Sequence, residues 1–118
     1  MEERLVIQEI LKTNLAVSAD KAQYISKLLQ EKIDEETPVI LDFSGIRSLT
    51  TAFLNIAVGQ IYGKLDKVKY DKYVKVDRNS MSALQFNKYN LVLDNSKAKR
   101  SKDYSNKISE VILHGYSD

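Results

Sequence analysis

Pro38-Val39-Ile40-Leu41-Asp42-Phe43-Ser44-Gly45-Ile46, with Leu49-Thr50-Thr51-Ala52-Phe53 close behind, is the stretch on which the reading of this chain turns. Four of the five residues from Val39 to Phe43 are apolar, as in a strand covered on both faces. Ser44-Gly45 breaks the strand. Thr50 or Thr51 then opens a helix running to about Leu65, with Leu54, Ala57, Val58, Ile61 and Leu65 on one apolar stripe. After Arg47 no charged residue appears until Lys64. A helix opened by hydroxyl groups and free of charge along its length is either buried on all sides or leaves a neutral face for a partner. In a domain of 118 residues complete enclosure is uncommon, so a docking surface is expected.

Outward from that centre, strands and helices alternate. Arg4-Leu5-Val6-Ile7-Gln8-Glu9-Ile10 is β-branched and reads as a strand. Ser18 suits a helix N-cap, Asp20 complements the positive helix end, and Ala22, Ile25, Leu28, Leu29 and Ile33 recur at helical spacing until Glu35-Glu36-Thr37-Pro38 ends the element. Tyr73-Val74-Lys75-Val76-Asp77 alternates as a half-exposed strand does. Asn79 or Ser80 caps a short helix through Met81 and Leu84 to about Lys88. Leu91-Val92-Leu93 either extends that helix or forms a last edge strand, and the strand is the expectation. A basic loop follows at 96–102, then a final helix from Asp103 or Ser105 that buries Ile108, Val111 and Ile112. Gly59 and Gly63 interrupt the neutral helix at about 1 kcal/mol each against alanine, which predicts close packing on their face. The alternation predicts a single α/β domain over 1–118 with a mainly parallel core.

Composition narrows the function classes. With no cysteine there is no disulfide framework, thiolate metal site or cysteine nucleophile. The acidic start Met1-Glu2-Glu3-Arg4 does not look like a signal peptide, and no apolar run approaches the roughly 20 residues that span a bilayer. A cytoplasmic protein is expected, without membrane association. Net charge is +2 but uneven: residues 1–36 are acidic, 37–63 neutral and 64–78 basic. The chain has no phosphate-cradling glycine loop, dinucleotide fingerprint or metal-binding cluster, and its one histidine, His114, has no evident partner. No metal, no cofactor and no catalytic residue are expected.

A few residues carry chemistry. Asp42, the only acid in the central apolar segment, either accepts hydrogen bonds at the strand's end or, with Ser44 beside it, supports a phosphorylated helix start. One of Thr50 and Thr51 is expected to cap the helix, and either hydroxyl is a phosphorylation candidate. A phosphoryl group suits a helix N-terminus electrostatically but would oppose an apolar partner there. Asn55, Gln60 and Tyr62 are the partner-binding candidates on the neutral helix, polar enough to be exposed yet suited to an interface. Tyr70 and Tyr73 lie among Lys67, Lys69, Lys72 and Lys75, which is the best nucleic-acid feature of the chain.

Leu41-Asp42-Phe43-Ser44-Gly45-Ile46 followed by Thr50-Thr51-Ala52-Phe53, set in this element order, resembles the STAS domain of bacterial anti-sigma-factor antagonists. It looks closest to the STAS-like families of unknown function. The resemblance implies a mixed, mainly parallel sheet of four to five strands with about four helices. It also implies a non-catalytic regulatory interaction module. STAS antagonists carry an aspartate and a phosphorylated serine before this helix; by position Thr51 stands for the serine and Thr50 replaces the aspartate. The implied partner is a regulatory protein, a histidine-kinase-like ATPase of the GHKL type, docked on the 50–65 helix. A second reading is a homodimeric or nucleic-acid-binding accessory domain using the basic loops 64–78 and 97–102, with Lys67, Lys69, Lys72 and Arg100 as contacts. A small enzyme is the third.

Overall fold

The structure is a computed structural model that describes residues 2–65 and 67–96. Arg100, the 97–102 loop, the predicted final helix and His114 lie outside the described residues.

Strand β1 (Glu3–Val6) runs directly into the short helix α1 (Ile7–Leu11), and the two-residue strand β2 (Leu15–Ala16) follows. The strand expected over 4–10 is therefore half helix. Ile7 and Leu11 are both buried while Glu9 between them is exposed, which fits a helical turn and not a strand, where all three would share one face. Helix α2 (Ala19–Asp34) starts after Ser18, which takes the N-cap position without a side-chain capping bond, and buries Ala22, Ile25, Leu29 and Ile33. Strand β3 (Val39–Asp42) is the apolar segment read from the sequence, and β4 (Ser48–Leu49) follows it. The neutral helix comes in three pieces: α3 (Thr51–Leu54), a π-helical stretch Asn55–Gly59, and α4 (Gln60–Lys64). The basic 64–78 segment is mostly not a loop, since α5 (Lys67–Tyr73) and β5 (Val74–Val76) lie within it.

A 3-10 turn at Arg78–Ser80 precedes a long helix, α6, over residues 83–96, the last described residue. Leu91-Val92-Leu93 is thus helix and not the expected edge strand. Val92 is buried while Leu91 is half-exposed, and Tyr89 three residues earlier is buried too, so the period is helical. Three apolar residues in a row fit either element, and here the longer helix decides.

Two parallel sheets result, one of three strands in the order β1-β3-β5 and one of two strands, β2-β4. The fold is mixed α/β with parallel sheets, as the sequence led one to expect, and its five described strands are divided between two sheets. Val39 and Leu41 sit centrally at 1% and 0% exposure. Helix α2 packs along the neutral helix, and Phe53, Leu54, Val58 and Ile61 join Ile25 and Leu29 in one apolar core.

Candidate functional site

Asp42 closes β3, and both its carboxylate oxygens are engaged. Arg4 of β1 donates Nη1 to Asp42 Oδ2 at 2.9 Å and to Asp77 Oδ2 at 3.0 Å, tying the ends of three neighbouring segments together. The Ser44 N–H donates to Asp42 Oδ1 at 2.9 Å, the hydrogen bond of an Asx turn. Ser44, through its side chain and its backbone N–H, and Arg4 hold the carboxyl below its ordinary range, against the opposing pull of burial. Gly45 completes the turn at φ +80°, where a Cβ would collide with the Gln8 side chain. Asp42 and Ser44 are therefore bonded to each other and to Arg4, and they shape the loop that leads to the helix.

That loop is held from two sides. On one side, Arg47 and Ser48 donate backbone N–H groups to Asn14 O at 2.8 and 3.3 Å, and Thr50 N–H donates to Ala16 O at 3.2 Å. On the other side, α6 contributes Gln85 Nε2 to Ile46 O at 3.0 Å and Lys88 Nζ to Leu49 O at 2.9 Å. Gln85 does two things at once, because its Oε1 accepts from Ser82 N–H while Ser82 Oγ accepts from Gln85 N–H. This reciprocal pair is a capping box. The Ser82-x-x-Gln85 spacing is a sequence-level mark of a helix start, and the cap expected at Asn79 or Ser80 lies at Ser82 instead, after the 3-10 turn. The sequence held no comparable signal for Arg4 or Lys88, whose partners lie 38 and 39 residues away.

Thr50 is the N-cap of α3: its backbone is extended and Oγ1 accepts from Phe53 N–H at 3.0 Å. Thr51 is the first helical residue, and it is exposed. Along the same helix Ala52, Asn55, Gln60 and Lys64 are exposed, and Ile56 and Gly63 are half-buried. This neutral strip reaches solvent from Thr51 to Gln60.

Tyr62 does not belong to the strip. It is 5% exposed and meets Tyr70 edge-on at 4.9 Å between ring centroids. The π stretch supplies the reason. An i→i+5 turn holds more residues than an α turn, so positions after it lag in phase and Tyr62 swings toward the buried face of Leu54 and Val58. Beyond Tyr62, the hydroxyls of Tyr70 and Tyr89 lie 2.8 Å apart in the interior. Burial pushes the Tyr89 phenol up to about 12, and the same cause drives Tyr70 well above its ordinary value.

The nucleic-acid candidates fall apart as a stacking platform. Tyr70 and Tyr73 are 1% and 7% exposed, so neither ring face is open to a base. Lys67 pairs with Asp71 at 2.7 Å, Lys72 lies over the Tyr73 ring, and Lys69 is exposed on the same short helix. Among the described residues no group of three or more His, Cys, Asp or Glu side chains is placed to hold a metal ion, and no helix is long and apolar enough to cross a membrane.

Residues 21–77 match the family model described as a STAS-like domain of unknown function (DUF4325). The match takes in most of α2, all of β3, the neutral helix and β5, and stops short of α6. No curated protein matches the chain, and no solved structure does.

Proposed function

We propose that this protein is a non-catalytic regulatory module that docks a protein partner on the exposed strip from Thr51 to Gln60, with Thr51 as a phosphorylation switch at its edge. The observation that carries the reading is the division of labour between neighbouring hydroxyls. Thr50 is consumed as the cap, while Thr51 is exposed at a helix start whose N–H groups favour an anion. Ala52, Asn55, Ile56 and Gln60 offer a surface without charge, which an apolar-and-polar interface core accepts more readily than lysine or glutamate. A phosphoryl group of charge about −1.5 to −2 at Thr51 would oppose such docking without altering the fold. The resemblance to STAS antagonists suggests a histidine-kinase-like ATPase as the partner and modifier.

The test compares affinity-tagged wild type with Thr51→Glu, Asn55→Lys and Gln60→Glu in native extract, using quantitative mass spectrometry and Lys27→Glu on α2 as the control. A partner held by wild type and by the control, and lost from all three site variants, is expected. A partner retained equally by every variant would place docking elsewhere.

A further inference from the structure

Strand β2 pairs with β4 and, among the described residues, with no other strand, so its second edge faces outward. The Leu15 N–H donates to Thr13 Oγ1 at 3.2 Å, an exposed bond within the same segment that strand pairing would exchange. Edge strands are ordinarily blunted by charge or proline. This one instead shows two apolar side chains, Leu15 at 47% and Val17 at 44% exposure, on either side of the buried Ala16. Alternation places Leu15 and Val17 on one face. Exposed Lys12 stands before this segment and exposed Asp20 after it, and neither makes an ion pair among the described residues. The segment is self-complementary about Ala16: Val17 mirrors Leu15, and Asp20 mirrors Lys12.

We propose that a second copy of this chain adds to the β2 edge, antiparallel about a twofold axis at Ala16. The two small sheets then join in the order β4-β2-β2-β4. Leu15 of each copy lies against Val17 of the other, and Lys12 of each lies near Asp20 of the other. A twofold pairing needs one patch that complements itself, and this patch does so in backbone, apolar contact and charge. Because β4 occupies the other side of β2 and leads into Thr50, the pairing leaves the Thr51 strip open. The inference therefore stands or falls separately from the docking reading. The edge is short, so the association is weak and depends on concentration.

Sedimentation velocity of the full chain over a concentration series, up to its solubility limit, tests this. A monomer–dimer equilibrium is expected. Lys12→Glu or Asp20→Lys should each weaken it roughly tenfold, since each breaks two symmetric exposed pairs and sets like charges opposite. The double variant should recover most of the loss. Val17→Lys should leave a monomer with unchanged circular dichroism. Melting curves run in parallel separate folding from pairing, because Asp20 also sits favourably in the first turn of α2. A monomer at every concentration, a dimer indifferent to Val17→Lys, or charge variants that the double change does not rescue would each overturn the proposal.

Discussion

At the scale of single residues, Thr50 and Thr51 separate structure from availability. Thr50→Ala removes the one side-chain acceptor at the start of α3 and is expected to cost about 1 kcal/mol in a urea melt, whereas Thr51→Ala should stay within about 0.5 kcal/mol. Composition and spacing left open which threonine caps, because both positions satisfy the same preference; only the helix start in three dimensions decides. Asp42 belongs to the same scale. Its folded pKa lies below the unfolded value of about 3.9, so its contribution is complete above that value and is lost as pH falls through the folded one. Asp42→Asn should therefore lower stability at neutral pH and flatten the acid side of a stability–pH profile measured by denaturant titration. An unchanged acid limb would mean that Arg4 and Ser44 do not favour the anion as their geometry requires.

Among elements, the contact between the neutral helix and α6 gives the sharpest contrast. A Cβ on Gly59 would lie 3.0 Å from Ser96 Oγ and 3.1 Å from Val92 Cγ1, while one on Gly63 would meet nothing within 4 Å among the described residues. Both glycines predicted close packing, and only Gly59 has it. Gly63→Ala is expected to stabilise by about 1 kcal/mol through helix propensity, and Gly59→Ala should forfeit that gain against Val92. Thermal melts of the two variants, run side by side, settle the difference. The elements themselves were partly legible. Val39–Asp42, α2 and the helix from Thr51 announced themselves through apolar period, and the family match covers the same region. What escaped was phase and continuation. The π stretch has no signature in the spacing of Leu54, Ala57 and Val58, so Tyr62 was assigned to the wrong face. Leu91-Val92-Leu93 is too short a run to declare a period without knowing that Gly59 receives Val92.

In the molecule as a whole, two parts of the one core should respond differently to mutation and to alkali. Leu41, at 0% exposure in the middle strand of the larger sheet, should cost about 2–5 kcal/mol on replacement by alanine. The Tyr70–Tyr89 pair joins α5 to α6, and the folded pKa of Tyr89, about 12, exceeds the unfolded value of about 10. A raised folded pKa gives stability that is complete below pH about 10 and drains away as pH rises toward the folded value. Tyr89→Phe should therefore blunt the alkaline loss, while costing about 1 kcal/mol at neutral pH because the Tyr70 hydroxyl loses its partner; tyrosinate absorbance alongside denaturant melts measures both.

The candidate site was half legible at this scale. The sequence located the neutral helix and its hydroxyl start, but the long-range ties from Arg4, Gln85 and Lys88 that hold the loop come from residues far along the chain. On the proposed function, the strip from Thr51 to Gln60 receives a protein partner under the control of charge at Thr51. Photo-crosslinking in living cells tests it, with a photoreactive residue placed at Ala52 or Gln60 and, as the control, at Lys27. A discrete crosslinked species from Ala52 and Gln60, absent from Lys27 and abolished by Thr51→Glu, is the predicted result; equal crosslinking from all three positions, or none from the strip, would contradict it.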